Sequence, residues 1–345
     1  MNITTSTNPN ESLLRQLEDF VRQHPHGNFF QSPSGFHFFQ GVENYQPFLI
    51  TAQTDSQLSG SLLAVNIKES NGPKGFFSRR CIIFGGPLIR ADDADPQATL
   101  LGLLQELNGN TKSIYTEFRN HFDVSGFQAA FRKEGYDFNP HLNFIVTVAE
   151  DAEKSMLLLN SSKRRQVRKS LKNGAGIRAA ENMEDVTAFY AILKELYATK
   201  VKKPLPPFSF FEHFYKSPET GKYLLVTHDD AIIGGIMCPI YKDTIYEWYI
   251  GGLDGQIKNV YPSVLATWAP IEYAAQNGLK YFDFMGAGKP DEDYGVREFK
   301  SKFGGELKAF GRFVKINKPL FYSAAKAGLK TMQRLNTLGK SRTPS

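Results

Sequence analysis

The 345-residue sequence predicts an α/β (α+β) fold of two tandem domains, each a mixed, mostly antiparallel sheet flanked by helices. Three observations predict it. The chain is too long for one ordinary hydrophobic core, apolar residues make up 41% of it, and its two halves repeat one order of elements. That order is a helix, a strand hairpin, a further strand, a helix and a last strand, so an all-β sandwich is disfavoured.

The hairpins and the strands after them are the clearest part of the repeat. Phe48–Val65 and Tyr223–Ile240 both show a strand, a polar turn and a second strand that opens with glycine. The strands that follow, in Cys81–Leu88 and Tyr246–Leu253, both end in a glycine pair. The alternative is a chance similarity between two α/β domains, and the matched glycine pairs argue against it.

The remaining elements follow from hydrophobic spacing and from helix start and stop signals. In chain order, the helices and last strands are predicted at Glu11–Gln23, Pro96–Leu107, Ser113–Arg119, Met183–Thr199, Pro262–Asn277 and Lys280–Met285. We predict a flexible tail at 1–10, an N-terminal domain at 11–152, a C-terminal catalytic domain at 153–318, and a basic helix with a tail at 319–345.

Charge and composition narrow the class of protein. Acidic residues outnumber basic ones before residue 151, and basic residues outnumber acidic ones after it, within a formal net charge of +6. A basic second half suggests an anionic partner such as a nucleic acid, a phosphorylated metabolite or a membrane surface. Cys81 and Cys238 lie in apolar, strand-like runs, which predicts two buried reduced thiols.

Several functional classes lack their sequence signals. No apolar run is long enough to span a bilayer, and the N-terminus lacks a basic region followed by an apolar one, so a cytoplasmic protein is expected. The seven histidines form no hydrolase motif, and no Walker or Rossmann fingerprint occurs. Asp283, Asp291 and Asp293 lack a recognised ligand spacing. We therefore predict neither a cofactor nor a metal.

The segment Tyr281–Gly305 is the strongest candidate for a site. A short buried strand, Tyr281–Met285, runs into a glycine-proline turn, an acidic cluster and a basic-aromatic segment. Loops at strand ends commonly carry sites, because the strand is fixed while the loop backbone can approach a ligand. Lys300 could stabilise a developing oxyanion there. The alternative is a salt bridge with Asp291–Asp293 or Glu298.

The strand that begins at Tyr246 is the second candidate. Alternation places Tyr246 and Trp248 on one face, and Glu247 and Tyr249 on the other. A carboxylate beside tyrosines could accept a proton or hold an ammonium group. A buried glutamate satisfied by tyrosine hydroxyls is the alternative.

A basic segment, Asn160–Gly174, opens the second half and is predicted to be a helix capped by its serines. Its cations repel one another unless an anion is bound, so phosphate-backbone binding and a solvated basic face are both considered. The predicted phosphate-binding residues are Lys163, Arg164, Arg165, Arg168, Lys169 and Lys172. A second basic segment, Pro319–Leu335, could dock on an anionic membrane at its inner face or pack on its own domain.

The repeated halves, the basic helix, the YEWYIGG strand and the segment GKPDEDYGVREFKSKFGG resemble the Fem-type aminoacyltransferases, which build peptidoglycan interpeptide bridges. These belong to the GNAT-like acyltransferase superfamily. The resemblance implies two tandem GNAT-like domains and transfer from aminoacyl-tRNA to an amine of a cell-wall precursor, which could be lipid-linked. It matches Phe299 and Lys300 to the family's pair near the reacting ester, and it places Tyr249 near the acceptor. It also implies that the cations of the basic helix bind the tRNA or a phosphate of the precursor.

Together these observations predict two groups of site residues. The catalytic group is Lys300, Phe299, Glu247 and Asp283. The substrate-binding group is Tyr246, Tyr249, Tyr261, Arg297 and Lys302. The sequence departs from the family where a lysine is expected, because Gln40 follows Gln31-Ser32 and Phe36.

Two alternatives stay open. One is a CoA-dependent N-acyltransferase, although the segment Gly255–Val264 has no glycine beyond Gly255 with which to cradle a pyrophosphate. The other is a non-catalytic binding protein, which would not need Lys300 and Glu247 to converge on one cleft. The distance between those two side chains discriminates between an enzyme and a binding module.

Overall fold

The computed structural model describes residues 1–69, 75, 78–201 and 204–324, and within them the strands form two sheets of eight. The elements before residue 140 are β1 (Asn2–Ser6), α1 (Glu11–Gln23), a 3-10 turn (Phe29–Gln31), α2 (Pro33–Gln40), β2 (Tyr45–Thr54), β3 (Gln57–Ile67), β4 (Arg80–Phe84), β5 (Leu88–Ile89), α3 (Pro96–Asn110), β6 (Tyr115–Arg119), a 3-10 turn (Ser125–Phe127), α4 (Gln128–Lys133) and β7 (Asp137–Asn139).

The elements after residue 140 repeat this order with one strand and two helices in front and one further strand at the end. They are β8 (Asn143–Thr147), α5 (Ala152–Leu158), α6 (Ser161–Lys172), β9 (Ala175–Ala179), α7 (Met183–Leu196), a π turn (Tyr197–Val201), α8 (Phe208–Lys216), β10 (Gly221–His228), β11 (Ala231–Tyr241), β12 (Thr244–Tyr246), β13 (Tyr249–Gly252), α9 (Pro262–Gln276), β14 (Tyr281–Asp283), α10 (Gly295–Ser301), β15 (Glu306–Lys308) and β16 (Arg312–Ile316).

The two sheets have the same topology. Their strand orders are β1-β2-β3-β4-β6-β16-β7 and β9-β10-β11-β12-β14-β8-β15, with β5 on β3 and β13 on β11. In each, one pair is parallel, β4 with β6 and β12 with β14, and the other described pairs are antiparallel. The prediction of two tandem, mixed and mostly antiparallel sheets is confirmed.

Each sheet borrows one strand from the other half of the chain. β8 lies in the second sheet between β14 and β15, and β16 lies in the first sheet between β6 and β7. The predicted limits 11–152 and 153–318 therefore do not coincide with the sheets. A strand's pattern shows that it is half-buried, but it does not specify which sheet receives it.

The predicted flexible tail at 1–10 is wrong. Residues Asn2–Ser6 form the edge strand β1, which pairs antiparallel with β2, and Ile3 faces Ala52. The run of Ile3, Thr4 and Thr5 has the β-branched composition that favours a strand. Asn10 then starts α1, because its side chain accepts a hydrogen bond from the Leu13 N–H at 2.9 Å.

The helix predictions differ from the structure only at the ends. The first leading helix spans Glu11–Gln23 as predicted, whereas the second ends at Leu196 and continues as the π turn. Asn160, rather than a serine, caps α6 by accepting from the Ser162 N–H at 2.9 Å.

Most of the predicted helix Pro319–Leu335 lies outside the described residues. Among the helices that are described, none is long and apolar enough to cross a bilayer.

One aromatic core joins the two halves. Trp248, from the second sheet, packs edge-on against Phe29 and Phe30 of the first half and against Phe210 of the second. These rings belong to one buried cluster that extends from Leu17 to Phe313, and a second cluster fills the far side of the second sheet. Burial on this scale fixes the segment around Trp248 against the first half. Cys81 and Cys238 are both buried and unpaired, as predicted.

Candidate active site

The site begins at a break in the strand that was predicted to run through Tyr246 to Leu253. The N–H of Glu247 donates to the carbonyl of Asp283 at 2.8 Å, whereas the next N–H, of Trp248, donates to Met237 at 3.1 Å. β12 pairs with both β11 and β14, whereas β13, which begins at Tyr249, pairs with β11 alone among the described strands, so the chain parts from β14 at Glu247. The side chain of Glu247 projects where the two strands separate.

The break changes the predicted alternation. Tyr246 and Trp248 both contact Phe30, which is consistent with one shared face. Tyr249 packs 5.7 Å from Phe210 in the same aromatic cluster, instead of lying on the opposite face with Glu247. The change of partner at Glu247 accounts for this, because the strict period of two holds only along a continuous strand.

Glu247 and Lys300 form a buried ion pair. Lys300 Nζ lies 2.6 Å from Glu247 Oε1, and the two side chains are 9% and 8% exposed. The same ammonium donates to the carbonyl oxygens of Phe284 at 3.0 Å and Gly286 at 2.8 Å, so its three N–H groups all have acceptors. Lys300 therefore converges with Glu247, 53 residues away in sequence, and not with Asp291–Asp293 or Glu298.

Burial raises the pKa of the Glu247 carboxyl, and the charge and hydrogen bond of Lys300 oppose that rise. A buried carboxylate that keeps a raised pKa despite a cationic partner accepts a proton more readily than an exposed one. The pair therefore combines a proton acceptor with a fixed positive charge.

Asp283 ends β14 next to this pair and is 3% exposed. Its Oδ1 accepts from Asn143 Nδ2 at 2.7 Å and from the Met285 N–H at 2.6 Å. Burial raises the pKa of Asp283 to about 6, although both hydrogen bonds and Lys300 act in the opposite direction. Met285 has a left-handed φ of 54°, so the aspartate holds the turn that presents the Gly286 carbonyl to Lys300.

Two tyrosines near Glu247 were not among the predicted site residues. Burial raises the pKa of Tyr197 to about 12, and Glu247 adds to the rise. Burial also raises the pKa of Tyr294, again with a contribution from Glu247. Both phenols are hydrogen-bond donors that stay protonated at neutral pH. The position of Tyr294, just before the helix that carries Lys300, was the available sequence signal.

The predicted substrate-binding tyrosines lie in different places. Tyr246 is buried and stacks on His121. Tyr249 is half-buried and its ring lies 6.4 Å from that of Tyr197, which connects it to the surroundings of Glu247. Tyr261 precedes α9, and its N–H donates to Ser170 Oγ at 2.9 Å.

The three other predicted residues of α10 and its end have local partners. The Arg297 guanidinium donates to the carbonyls of Lys289 and Glu292, which closes the acidic loop. Lys302 Nζ lies 2.8 Å from Glu298 Oε1 on the surface. Phe299 packs on Phe303, with ring centroids 5.1 Å apart.

The basic helix α6 has one cation that points inward. Lys163 is buried, its Nζ lies 4.2 Å from the Phe299 ring centroid, and it donates to Gln166 Oε1 at 3.1 Å. Burial lowers the pKa of Lys163, and the nearby charge of Lys302 lowers it further. The other predicted cations of the helix are exposed or half-exposed, namely Arg164, Arg165, Arg168, Lys169 and Lys172. The helix thus combines a link to Phe299 with an outward basic face.

The N-terminus of α9 is already occupied by a carboxylate. Asp254 Oδ1 accepts from the Ser263 N–H at 3.1 Å. A Cβ at Gly252 would lie 2.5 Å from the same nitrogen, so only glycine allows the helix to approach the strand this closely. The negative charge of Asp254 opposes a second anion at this helix end.

Metal ligands are not grouped here. Within residues 1–69, 75, 78–201 and 204–324, no three His, Cys, Asp or Glu side chains are placed to hold a metal ion.

Comparisons with known proteins identify the domain and the fold. Residues 161–301 match the family model of the acetyltransferase (GNAT) domain. No curated protein sequence matches the chain. The chain is similar to the crystal structure of FemX, with a TM-score of 0.70 and 15% identity over 94% of this chain and 99% of that one.

Two further solved structures share this arrangement. L-PGS from Bacillus licheniformis has a TM-score of 0.56 and 12% identity over 92% of this chain and 96% of that one. A tandem GNAT protein from the clavulanic acid biosynthesis pathway has a TM-score of 0.56 and 9% identity over 91% and 96%. The chain therefore carries a GNAT acyltransferase domain at residues 161–301, within a Fem-type fold of two GNAT-like units.

Proposed function

We propose that the chain is an aminoacyltransferase that moves an aminoacyl group from an activated ester, aminoacyl-tRNA, to an amine of a peptidoglycan precursor or similar acceptor. The observation that carries the proposal is the buried pair of Glu247 and Lys300 at the strand break. Its support is the GNAT domain, the similarity to FemX and L-PGS, and the matched Phe299–Lys300 pair.

The geometry suggests how the two charges work together. The acceptor amine attacks the ester carbonyl, a C–N bond forms, and the amine proton passes to Glu247. Neutralising Glu247 leaves the charge of Lys300 without its partner at the moment when negative charge develops on the acyl oxygen. The C–O bond of the ester then breaks, and the leaving alkoxide takes the proton. Catalysis rests on positioning and electrostatics, without a covalent enzyme intermediate.

The surrounding residues position this pair. Asp283 holds the turn whose Gly286 carbonyl orients Lys300. Tyr197 and Tyr294, whose pKa values are raised in part by Glu247, could supply phenolic donors to the site, and the ring of Tyr249 lies 6.4 Å from that of Tyr197. Phe299 positions the acceptor end, and Lys163 fixes its ring from the other side.

The outward face of α6 is the proposed contact for the tRNA backbone. Changing Arg165, Arg168 and Lys169 to glutamine is expected to weaken tRNA binding and to reduce the slope of log affinity against log salt by about one unit per lost phosphate contact. Filter binding of charged tRNA over a salt series measures this. The matched control neutralises Lys112, Arg132 and Lys133, exposed cations of the first half. Equal effects of both triple variants would argue against a tRNA site on α6.

The direct test of the function is transfer. The protein is incubated in separate reactions with charged tRNA or acyl-CoA and with amine-bearing cell-wall precursors, and the acceptor is weighed by mass spectrometry. We expect a mass gain of one aminoacyl residue with charged tRNA. Transfer from acyl-CoA alone would favour the CoA-dependent N-acyltransferase instead.

The two alternatives differ in what supports them. The GNAT domain favours a CoA-dependent enzyme, but the Asp254 carboxylate at the start of α9 opposes a pyrophosphate at that helix end. A non-catalytic binding module has no need for the convergence of Glu247 and Lys300. Peripheral membrane contact through Pro319–Leu335 stays a prediction, because most of that segment lies outside the described residues.

A further inference from the structure

The duplicated sheets place opposite charges at equivalent positions. In the second sheet, the parallel pair ends with Tyr246 opposite Asp283, and in the first sheet it ends with Phe84 opposite Arg119. The first half therefore carries a guanidinium where the second half carries a buried carboxyl. The Arg119 guanidinium carbon lies 5.2 Å from the Phe84 ring centroid, a cation–π contact with its strand neighbour.

Arg119 belongs to a cluster with more positive than negative charge. Its Nε and Nη2 donate to Glu117 Oε2 at 3.0 and 2.9 Å, and Arg312 Nη1 donates to Glu117 Oε1 at 2.9 Å. Arg312 comes from β16, the strand borrowed from the other half. One carboxylate thus serves two guanidiniums, and a partly buried charge without a counter-ion is unfavourable unless an anion completes the set.

Glu117 supplies the negative charge of this cluster, and its carboxyl stays ionised. Burial alone would raise its pKa, but Arg119 and Arg312 outweigh burial and hold the pKa at about 2. The carboxyl therefore stays ionised at every pH at which the protein would work. The excess of one positive charge persists, and Nη1 of Arg119 makes no hydrogen bond to the part of the chain that the structure describes.

The cluster is partly open to solvent. The side chains of Arg119 and Arg312 are 35% and 25% exposed. The charge of Arg119 opposes the burial that raises the pKa of the Tyr249 phenol. Tyr249 in turn neighbours Tyr197, which lies near Glu247. The ring contact between these two half-buried tyrosines is therefore one connection between the surroundings of the arginines and those of Glu247.

A second connection runs through Gly286. Its carbonyl accepts from Lys300, and its φ of 147° favours glycine. A Cβ at this position would lie 3.3 Å from His141 Nε2 and 4.0 Å from Arg312 Nη2. The turn that orients Lys300 thus lies directly on the arginine cluster, with His141 2.9 Å from Arg312.

We propose that Arg119 and Arg312 bind an oxyanion, a carboxylate or a phosphate, carried by the acceptor whose amine is acylated at Glu247 and Lys300. Placing the anion on the acceptor rests on the proposed function, whereas the binding of an anion at the arginines does not. The acceptor would then be an amine that bears a negative group, held at one end by the first half and acylated by the second.

The test is titration calorimetry with two probes, succinate and methyl phosphate, which separate a carboxylate from a phosphate. We expect at least one probe to bind, and Arg119→Gln to weaken it by about tenfold or more, since a charge-assisted hydrogen bond is lost. Arg119→Lys is expected to retain part of the affinity. Arg132→Gln, which removes an exposed charge from the same half, should bind as the wild type does.

Phosphate could also bind the basic face of α6, so each titration is repeated in the Arg165, Arg168 and Lys169 triple variant. The proposal is overturned if neither probe binds that variant, or if Arg119→Gln binds as tightly as its parent. Should Arg119→Gln not fold, as judged by circular dichroism, Arg119→Lys carries the same comparison. Glu117 keeps Arg312 as a partner in both variants.

The transfer assay separates this inference from the proposed function. Anion binding without aminoacyl transfer would leave the arginine site standing and remove its assignment to an acceptor amine. Transfer without anion binding would support the proposed function and overturn the anion site at the arginines. If both hold, Arg119→Gln should raise the KM for the acceptor by about tenfold and change kcat little, because Arg119 lies away from the reacting atoms.

Discussion

Replacing Lys300 by methionine is expected to lower turnover by about 10²–10³, the usual cost of removing one group that stabilises an oxyanion. Donor affinity should fall much less, because the charge acts on the acyl oxygen as the reaction proceeds. The same change is expected to lower the free energy of unfolding by about 3–5 kcal/mol, since Glu247 would be left buried without its cation. Single-turnover kinetics and urea unfolding measure the two effects separately.

A second substitution in the same chain separates the loss of turnover from the loss of folding stability. Adding Glu247→Gln to Lys300→Met removes the unpaired carboxylate, so most of the lost stability should return while turnover stays low. Lys216→Met is the matched control, because its surface pair with Glu212 is worth at most about 1 kcal/mol. Recovery of turnover in the double variant would contradict the catalytic roles of both Glu247 and Lys300.

The repeat was predictable because local sequence signals in each half predict its helices and strands. Hairpin turns, glycine pairs and helix caps are short-range signals, and they gave the order of strands and helices in both halves. The exchange of β8 and β16 was not predictable in this way. Each borrowed strand is a half-buried run of five residues that satisfies the same pattern in either sheet.

The sequence pointed to individual site residues, but it did not predict which of them contact one another. Glu247 and Lys300 each stand in a segment whose composition attracts attention, yet no local pattern says that they pair. Their contact depends on the strand break at Glu247, which the smooth alternation of YEWYIGG conceals. Tyr197 was missed for a related reason, since a tyrosine at a helix end has no distinguishing neighbours and only the fold brings it to Glu247.

The arginine cluster shows the same limit. Glu117 and Arg119 stand two apart on β6, which predicts that they share a face, but Arg312 reaches them only because β16 joins the first sheet. From the sequence, Ser113–Arg119 is predicted only as the last strand of the first half. Long-range pairing, rather than composition, creates the charge excess.

Replacing Asp283 by asparagine is expected to stabilise the protein near pH 7. The folded carboxyl has a pKa of about 6, compared with about 3.9 for an unfolded aspartate. Between these values the folded state binds more protons, so the free energy of unfolding falls as pH rises from about 4 to 6. A shift of this size corresponds to about 3 kcal/mol lost above pH 6. Asparagine keeps an oxygen for Asn143 and Met285 and carries no charge to bury.

Urea unfolding of the wild type and Asp283→Asn from pH 4 to 8 measures this, and the difference between the two curves isolates Asp283 from Glu247. Asp185→Asn is a control of opposite sign. The hydrogen bond from Arg178 lowers the pKa of Asp185, so the contribution of Asp185 to the free energy of unfolding is present at neutral pH and lost as pH falls.

Asp283→Asn should retain more turnover than Glu247→Gln, because Asp283 holds the turn and Glu247 takes the proton. A larger loss of turnover in Asp283→Asn than in Glu247→Gln would assign the proton to Asp283 instead.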